Sequence, residues 1–365
     1  MASLSRPRYE LRIGALTSTD SIAAGGPGAL VVEREIDVPL DLARLRLTDR
    51  SDISVGDDCT LALGLGTTPE RVFTGTVVEV RADVWGATVV AAGAMTALLD
   101  LRVTATYTRS SVGSIARDLA GRAGLSATDV AEGPTLPRFV LDARRGAHGQ
   151  LRELAARFGL EVYADRRGAL VIRAVPGGGP ARGAVGGLGG FGGAAAAVGV
   201  AAPGSAGAGP VRHGAEVLAA TGRRRPPAWD AVSVGGESPA STKGSKAADW
   251  LTSDDDASLG EAGRGDRRLL TLDPLARTKD LARDLADGTL QYAGRHVRLV
   301  EVVVPGRPGT ELGDSLEIGS AAGADPDGLV TGSGTVRGLR HRLDGIRGYT
   351  TSITVALPPP GEAVG

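Results

Sequence analysis

The chain has 365 residues, a formal net charge of −1, 55 glycines and only 3% aromatic residues. Its length exceeds what one hydrophobic core usually fills, so two or three domains are expected; the near-zero charge supplies no field to steer nucleic acid, and the scarce aromatics argue against a stacking or sugar-binding surface. No apolar run reaches the roughly 18 residues of a membrane span, and Met1 to Glu10 lacks an apolar signal core, so neither a span nor Sec-type export is indicated and assembly in the cytoplasm is expected.

Tyr9 to Leu16 and Gly28 to Val38 read as strands around a Gly25-Gly26-Pro27-Gly28 turn, with Leu30, Val31, Val32 and Ile36 as core candidates, and Leu40 to Leu47 extends the pairing. Asp58 to Leu65, Arg71 to Arg81 and Ala87 to Gly93 complete an antiparallel sheet of about six strands, a size at which a sheet curls or closes. Residues 1–98 are thus expected to form a β-barrel or sandwich. Cys59, the single cysteine, has no internal partner and sits in an apolar strand, which suits a buried small hydrophobe better than a nucleophile.

The character changes after Leu99. Val112, Ile115 and Leu119 recur at helical spacing, with Gly124 placed for a left-handed residue after the helix. A second helix is expected from Ala147 to Phe158, with Leu151, Leu154, Ala155 and Phe158 on one stripe and Gly159 ending it. A hairpin of Leu160 to Ala164 and Ala169 to Ala174 then turns at Arg166-Arg167-Gly168. Residues 99–175 read as a small α+β domain.

Residues 176–213 form a Gly/Ala-rich tract too poor in large apolar groups to offset its ordering entropy, so a linker or disordered loop is expected. Gly186 to Gly193 resembles a phosphate loop in glycine content alone, since no Lys-Ser/Thr follows. Beyond it come a strand at Asp230 to Gly235 and a polar excursion over 238–265. Asp254-Asp255-Asp256 lacks the central Gly and terminal Glu of a calcium loop and reads as a solvated turn. Asp273-Pro274 is expected to open a helix with Leu275, Thr278, Leu281 and Leu285 inward and Gly288 closing it; His296 to Val304 follows as a buried strand. Residues 214–365 are expected to form a second β domain, ended by Pro358-Pro359-Pro360.

One pattern occurs near both ends of the chain. Gly56-Asp57, an apolar strand, Thr74-Gly75 and a further strand are matched by Gly313-Asp314, a strand, Thr331-Gly332 and a further strand, with the glycines 19 residues apart in each copy. Chance glycine matches are common in so glycine-rich a chain, and the weight rests on Asp57/Asp314 and Thr74/Thr331. The expectation is one β unit used twice.

Chemistry has little to stand on. His148, His213, His296 and His341 show no metal-ligand spacing on a helix, and there is no nucleophile elbow or Cys/His dyad. Asp118, Glu153, Asp280 and Asp284 alternate with basic residues, as solvated helix faces do. His341 is a catalytic candidate, with a structural or interface role the more natural one. A carboxylate pair, which is assembled in space, stays open.

The run Arg71-Val72-Phe73-Thr74-Gly75-Thr76-Val77, then Thr106-Tyr107-Thr108 and Ser111 to Leu125, resembles phage late control protein D and the hubs of contractile phage tails, including the hub part of VgrG proteins. The likeness continues through Gln150 to Ala155, Phe158-Gly159-Leu160, Asp165 and Gly168-Ala169-Leu170. It resumes at Pro305-Gly306, Leu312-Gly313-Asp314, Leu339 to Leu343 and Gly348 to Thr351, and covers most of the chain outside 176–265.

The resemblance implies an α+β, mainly β fold, with two related tube-like β-barrel domains, a small α+β domain between them and a Gly/Ala-rich flexible segment. It implies a non-enzymatic baseplate hub: a homotrimer whose six β units adapt a threefold spike protein below to a hexameric inner tube or tube-initiator protein above, within a phage tail or bacterial injection system. A tape-measure protein or effector would occupy the lumen, and no cofactor, metal, nucleic acid or membrane span is called for. The alternatives are a tail-associated peptidoglycan hydrolase and a monomeric β-rich binding module.

Overall fold

A computed structural model describes residues 6–19, 27–48, 52–66, 68–176, 209–236, 259–319, 325 and 328–358. The Gly186 to Gly193 and Asp254 to Asp256 readings therefore lie outside the described residues.

The first 93 residues supply seven strands: β1 (Pro7–Ile13), β2 (Leu16–Thr19), β3 (Pro27–Glu35), β4 (Leu42–Leu47), β5 (Asp58–Leu65), β6 (Glu70–Asp83) and β7 (Gly86–Gly93). Alternation sets their faces: Tyr9, Leu11 and Ile13 of β1, Leu61 and Leu63 of β5, and Ala43, Leu45 and Leu47 of β4 are all buried in one cluster. The expected strand from Tyr9 to Leu16 is broken in two, because Gly14 takes a positive φ of 52° and turns β1 into β2.

Next comes the mixed region: α1 (Thr96–Asp100), β8 (Ala105–Ser111), α2 (Val112–Arg122), β9 (Ala127–Val130), β10 (Thr135–Leu141), α3 (Ala147–Arg157), β11 (Leu160–Ala164) and β12 (Leu170–Ala174). Ser111 caps α2, its hydroxyl accepting from the Ser114 amide at 3.0 Å, and Gly124 takes the left-handed conformation expected of it, φ 71°.

The last part comprises β13 (Val211–Arg212), β14 (Ala219–Arg224), β15 (Ala231–Gly236), β16 (Leu259–Gly263), β17 (Arg268–Asp273), α4 (Lys279–Gly294), β18 (Arg298–Pro305), β19 (Ser315–Gly319), β20 (Gly332–Asp344) and β21 (Gly348–Ala356). Helix α4 begins later than Asp273-Pro274 predicts. Asp273 accepts from the Leu275 amide in a separate turn, and Thr278 is the cap, its hydroxyl accepting from Leu281 at 3.2 Å. Nor does Gly288 end the helix. It lies inside α4, where an added Cβ would stand 2.5 Å from the backbone of Arg157 and Phe158; the missing side chain lets α4 cross close to the end of α3.

The fold is mainly β, and its pairing corrects the expectation of two closed barrels. One 13-stranded sheet runs in the order β14-β18-β21-β20-β3-β4-β7-β6-β5-β1-β2, with β19 beside β20 and β13 beside β19. Among the described residues this sheet is an open path. The upper half of β20, Gly338 to Asp344, pairs antiparallel with β3, so the two ends of the chain meet edge to edge and neither closes on itself.

Domain limits also differ from the expected ones. Val232, Val234, Ala262, Leu275, Ala276, Leu281, Ala282, Leu285 and Ala286 share a core with Met95, Leu98, Val112, Ile115, Leu119, Leu151, Leu154 and Ile172. Residues 231–236 and 259–286, read from the sequence as part of the second β domain, thus pack on the mixed region although they lie between β14 and β18 in the chain. Three cores result: this one, the cluster under β1 to β7, and a third under β18 to β21 with Val300, Val302, Leu316, Val336, Ile353 and Val355.

Candidate functional site: the junction of the two β units

The two ends of the chain place their strands in matching order. Reading outward from β5, the sequence of neighbours is β5-β6-β7-β4-β3; from β19 it is β19-β20-β21-β18-β14, antiparallel at every step in both. The entry turns match atom for atom. Asp57 accepts the Ser54 amide on its carboxylate at 2.8 Å and Asp314 accepts the Glu311 amide at 2.8 Å; Gly56 and Gly313 both hold positive φ, 99° and 83°. The Gly56 amide donates to the Val77 carbonyl and the Gly313 amide to that of Val336, at 2.9 and 2.8 Å.

The second anchor of the pattern sits two residues away from where the spacing put it. Gly75 lies opposite Cys59 and Gly334 opposite Leu316, and at both an added Cβ would collide with a carbonyl, that of Ala92 or Ala356. Gly334, not Gly332, is therefore the counterpart of Gly75. Thr331 and Gly332 have other work: the Thr331 hydroxyl donates to Asp325 at 2.7 Å, and its carbonyl accepts from Arg298 at 2.5 Å. Thr74 instead donates to the Arg166 carbonyl at 3.0 Å.

That last contact leads to the junction. The β11-β12 turn, carrying Arg166, wedges between the units: Arg166 pairs with Glu70 of the first at 3.2 Å and with Glu311 beside the second at 3.5 Å, and its amide donates to Glu311 at 3.2 Å. Tyr163 donates to the Leu312 carbonyl at 3.4 Å, and a Cβ on Gly313 would lie 2.5 Å from the Tyr163 hydroxyl. Gly313 is thus both a turn and a seat for the mixed region.

Buried charge completes the joint. Arg34 of β3 reaches Glu311 at 2.7 Å, Asp41 at 3.1 Å and the Ala164 carbonyl at 3.0 Å. Arg337 of β20, 1% exposed, reaches Glu161 at 2.6 Å and Asp37 at 3.0 Å, and Asp37 also meets Arg295 at 3.2 Å and His296 at 2.7 Å. Burial opposes the charge on Asp37, but the His296 hydrogen bond and the cations of Arg337 and Arg295 outweigh it and hold its carboxyl well below the usual range. Asp41 goes the other way, pushed up to about 6 by burial and by Glu311, which competes for the same Arg34.

Of the chemical candidates, His341, Cys59 and His148 are buried. His341 lies under the sheet with Nδ1 at 3.0 Å from the Tyr349 hydroxyl and 3.1 Å from that of Thr351; burial, with Arg34 and Arg166 adding to it, lowers its pKa to about 3. Burial pushes the Cys59 thiol up to about 12, which removes the thiolate that nucleophilic chemistry needs. Burial and Arg152 lower His148 to about 4. Asp118 bonds Tyr107 and Arg122, and Glu153 pairs with Arg145, on exposed helix faces. Among the described residues no three His, Cys, Asp or Glu side chains are grouped to hold a metal ion, and no helix is long and apolar enough to cross a membrane.

The arrangement resembles solved structures across nearly its whole length. The 43 kDa tail protein of prophage MuSo2 from Shewanella oneidensis aligns with a TM-score of 0.63 at 17% identity, over 96% of this chain and 97% of that one. The fold is that of phage tail proteins. A tail protein from Neisseria meningitidis MC58 gives 0.63 at 14% identity, over 96% of each chain. An E. coli component of the type VI secretion system gives 0.54 at 10%, over 96% of this chain and 77% of that one. No protein-family model and no curated protein sequence matches the chain.

The sequence reading missed Arg34, Asp37, Glu161, Arg166 and Arg337. A signal for the first was present: Arg34 follows Leu30 and Val32 and precedes Ile36 in strict alternation, so it shares the buried face.

Proposed function

We propose that the protein is a structural hub of a phage-tail-like particle, a homotrimer in which two β units per chain form six similar segments around an axis. One observation carries this reading: the same five-strand order occurs twice and the copies are already joined edge to edge, β20 on β3, within one chain. A ring whose repeat is half a chain follows when that head-to-tail step continues from chain to chain, because a heterologous contact either closes into a ring or runs on as a filament. Tail-protein folds in prophages and in a type VI secretion component support the setting.

Such a hub would seat a threefold spike protein on one side and a sixfold inner tube or tube initiator on the other, with a tape-measure protein or effector within the ring. It needs no cofactor, and its place is the baseplate of a tail or injection particle assembled in the cytoplasm. The buried junction fits that role, since it fixes the angle between the two units. Mass measurement of the purified chain tests the proposal: the expected species is three times the 37.0 kDa chain mass. Peptidoglycan zymography is expected to show no clearing, and clearing that vanishes when one carboxylate is changed would overturn the structural reading.

A further inference from the structure

The internal seam defines what its counterpart between chains must look like. In the seam, Gly338, Leu339, Arg340, His341 and Arg342 of β20 lie opposite Glu35, Arg34, Glu33, Val32 and Val31 of β3. The ladder equivalences give the matching residues elsewhere. Each of β6 and β20 carries a bulge, between Val77 and Glu79 and between Val336 and Gly338, so Glu79, Val80, Arg81, Ala82 and Asp83 correspond to 338–342. Leu42 lies opposite Ala92 and Leu299 opposite Ala356; Glu33 pairs with Leu42, and Arg223 with Leu299. Thus Thr221, Gly222, Arg223, Arg224 and Arg225 correspond to residues 31–35.

These two counterparts are left open within the chain. β14 is the end strand of the sheet, and among the described residues the half of β6 from Glu79 to Asp83 pairs with β7 alone. Where β3 covers β20, Leu339 and His341 are buried; Val80 is half-buried and Ala82 exposed at the same places on β6. An exposed strand edge of this kind is a template for another strand.

We infer that β14 of one chain pairs antiparallel with Glu79 to Asp83 of β6 in the next chain, in the register of the internal β3-β20 seam. This rests on the trimeric reading and supplies the contact that it lacks. One such seam per pair of neighbours gives three between chains, and with the three internal β3-β20 seams the ring has six seams of one kind.

Charge fits the pairing. β14 and its extension present Arg223, Arg224 and Arg225, all exposed, and among the described residues none of the three forms an ion pair; the Arg225 amide continues the ladder by donating to the Val297 carbonyl at 2.8 Å. The transferred register sets Arg225 opposite Glu79 and Arg224 opposite Val80. Arg223 falls opposite Arg81, itself paired with Glu79, and is flanked diagonally by Glu79 and Asp83. In the internal seam the places of Arg81 and Arg223 are held by Arg340 and Glu33, an ion pair at 3.3 Å, so between chains that contact is replaced by Arg225 with Glu79 and by the diagonal carboxylates around Arg223.

Paired cysteines in the full chain test the register. Val80→Cys with Arg224→Cys, and Ala82→Cys with Gly222→Cys, are expected to give disulfide-linked dimers and trimers under mild oxidation, while the offset pair Ala82→Cys with Arg224→Cys stays unlinked. Native Cys59 is buried and does not compete. In parallel, Glu79→Arg or Arg225→Glu is expected to weaken self-association by about tenfold, with the double exchange restoring it. A trimeric mass without registered cross-links overturns this seam and leaves the hub reading standing. A monomer at every concentration tested overturns both.

Discussion

Arg337 shows how one residue ties the units of the chain together. The bulge in β20 that frees it from the strand alternation aims its guanidinium at Glu161 and Asp37, whereas the bulge in β6 leaves Val78 43% exposed. Removing one partner of a buried ion pair strands the others, so Arg337→Met is expected to cost about 3 to 5 kcal/mol in chemical denaturation, and Arg337→Met with Glu161→Met less than Arg337→Met alone. His341 makes the pH dependence readable. Its folded pKa, about 3, is below that of the unfolded chain, so its contribution is complete above pH 6.5 and is lost as pH falls toward 3. His148 acts in the same direction, while Asp41, raised to about 6, contributes most below pH 4 and loses that contribution as pH rises to 6. Melting curves from pH 7 to pH 4 are expected to show destabilisation, with His341→Gln removing on the order of 3 kcal/mol of it at pH 4.

Among the elements, helices α2 and α3 and the β11-β12 hairpin were legible because each carries its own local signals: Gly124 and Gly159 at left-handed ends, apolar stripes at helical spacing and the Arg166-Arg167-Gly168 turn. The start of α4 was not, because Asp273 and Thr278 are both competent caps and only the packing of Leu281 and Leu285 decides between them. Gly288 misled for a related reason: a glycine that ends a helix and one that admits a neighbouring helix look alike in sequence. Gly288→Leu is expected to separate α4 from α3 and to destabilise the fold by about 1 to 3 kcal/mol, and Gly334→Ala, against the Ala356 carbonyl, by a similar amount, as thermal unfolding would show. The two matching turns stand out at Gly56-Asp57 and Gly313-Asp314, because each needs a glycine at positive φ followed by a carboxylate that accepts a backbone amide. The second anchor of the repeat was displaced by two residues, since Thr-Gly pairs recur and hydrogen-bond register, which singles out Gly334, is a property of the neighbouring strand.

For the whole molecule, the long-range joint was the least visible part. Strand β3 meets β20 across some 300 residues of chain, and residues 231–236 and 259–286 pack on the mixed region and not on the strands that flank them in sequence; neither follows from a local pattern. What the molecule gains is a joint between two like units, held by Arg34, Arg166 and Arg337 and flanked by three separate hydrophobic cores. Electron microscopy of the purified protein tests the claim that the two units are used as equivalents. Rings with threefold symmetry and six similar sheet segments are the predicted result, and particles holding a single chain, or rings in which the two units occupy dissimilar positions, would contradict it.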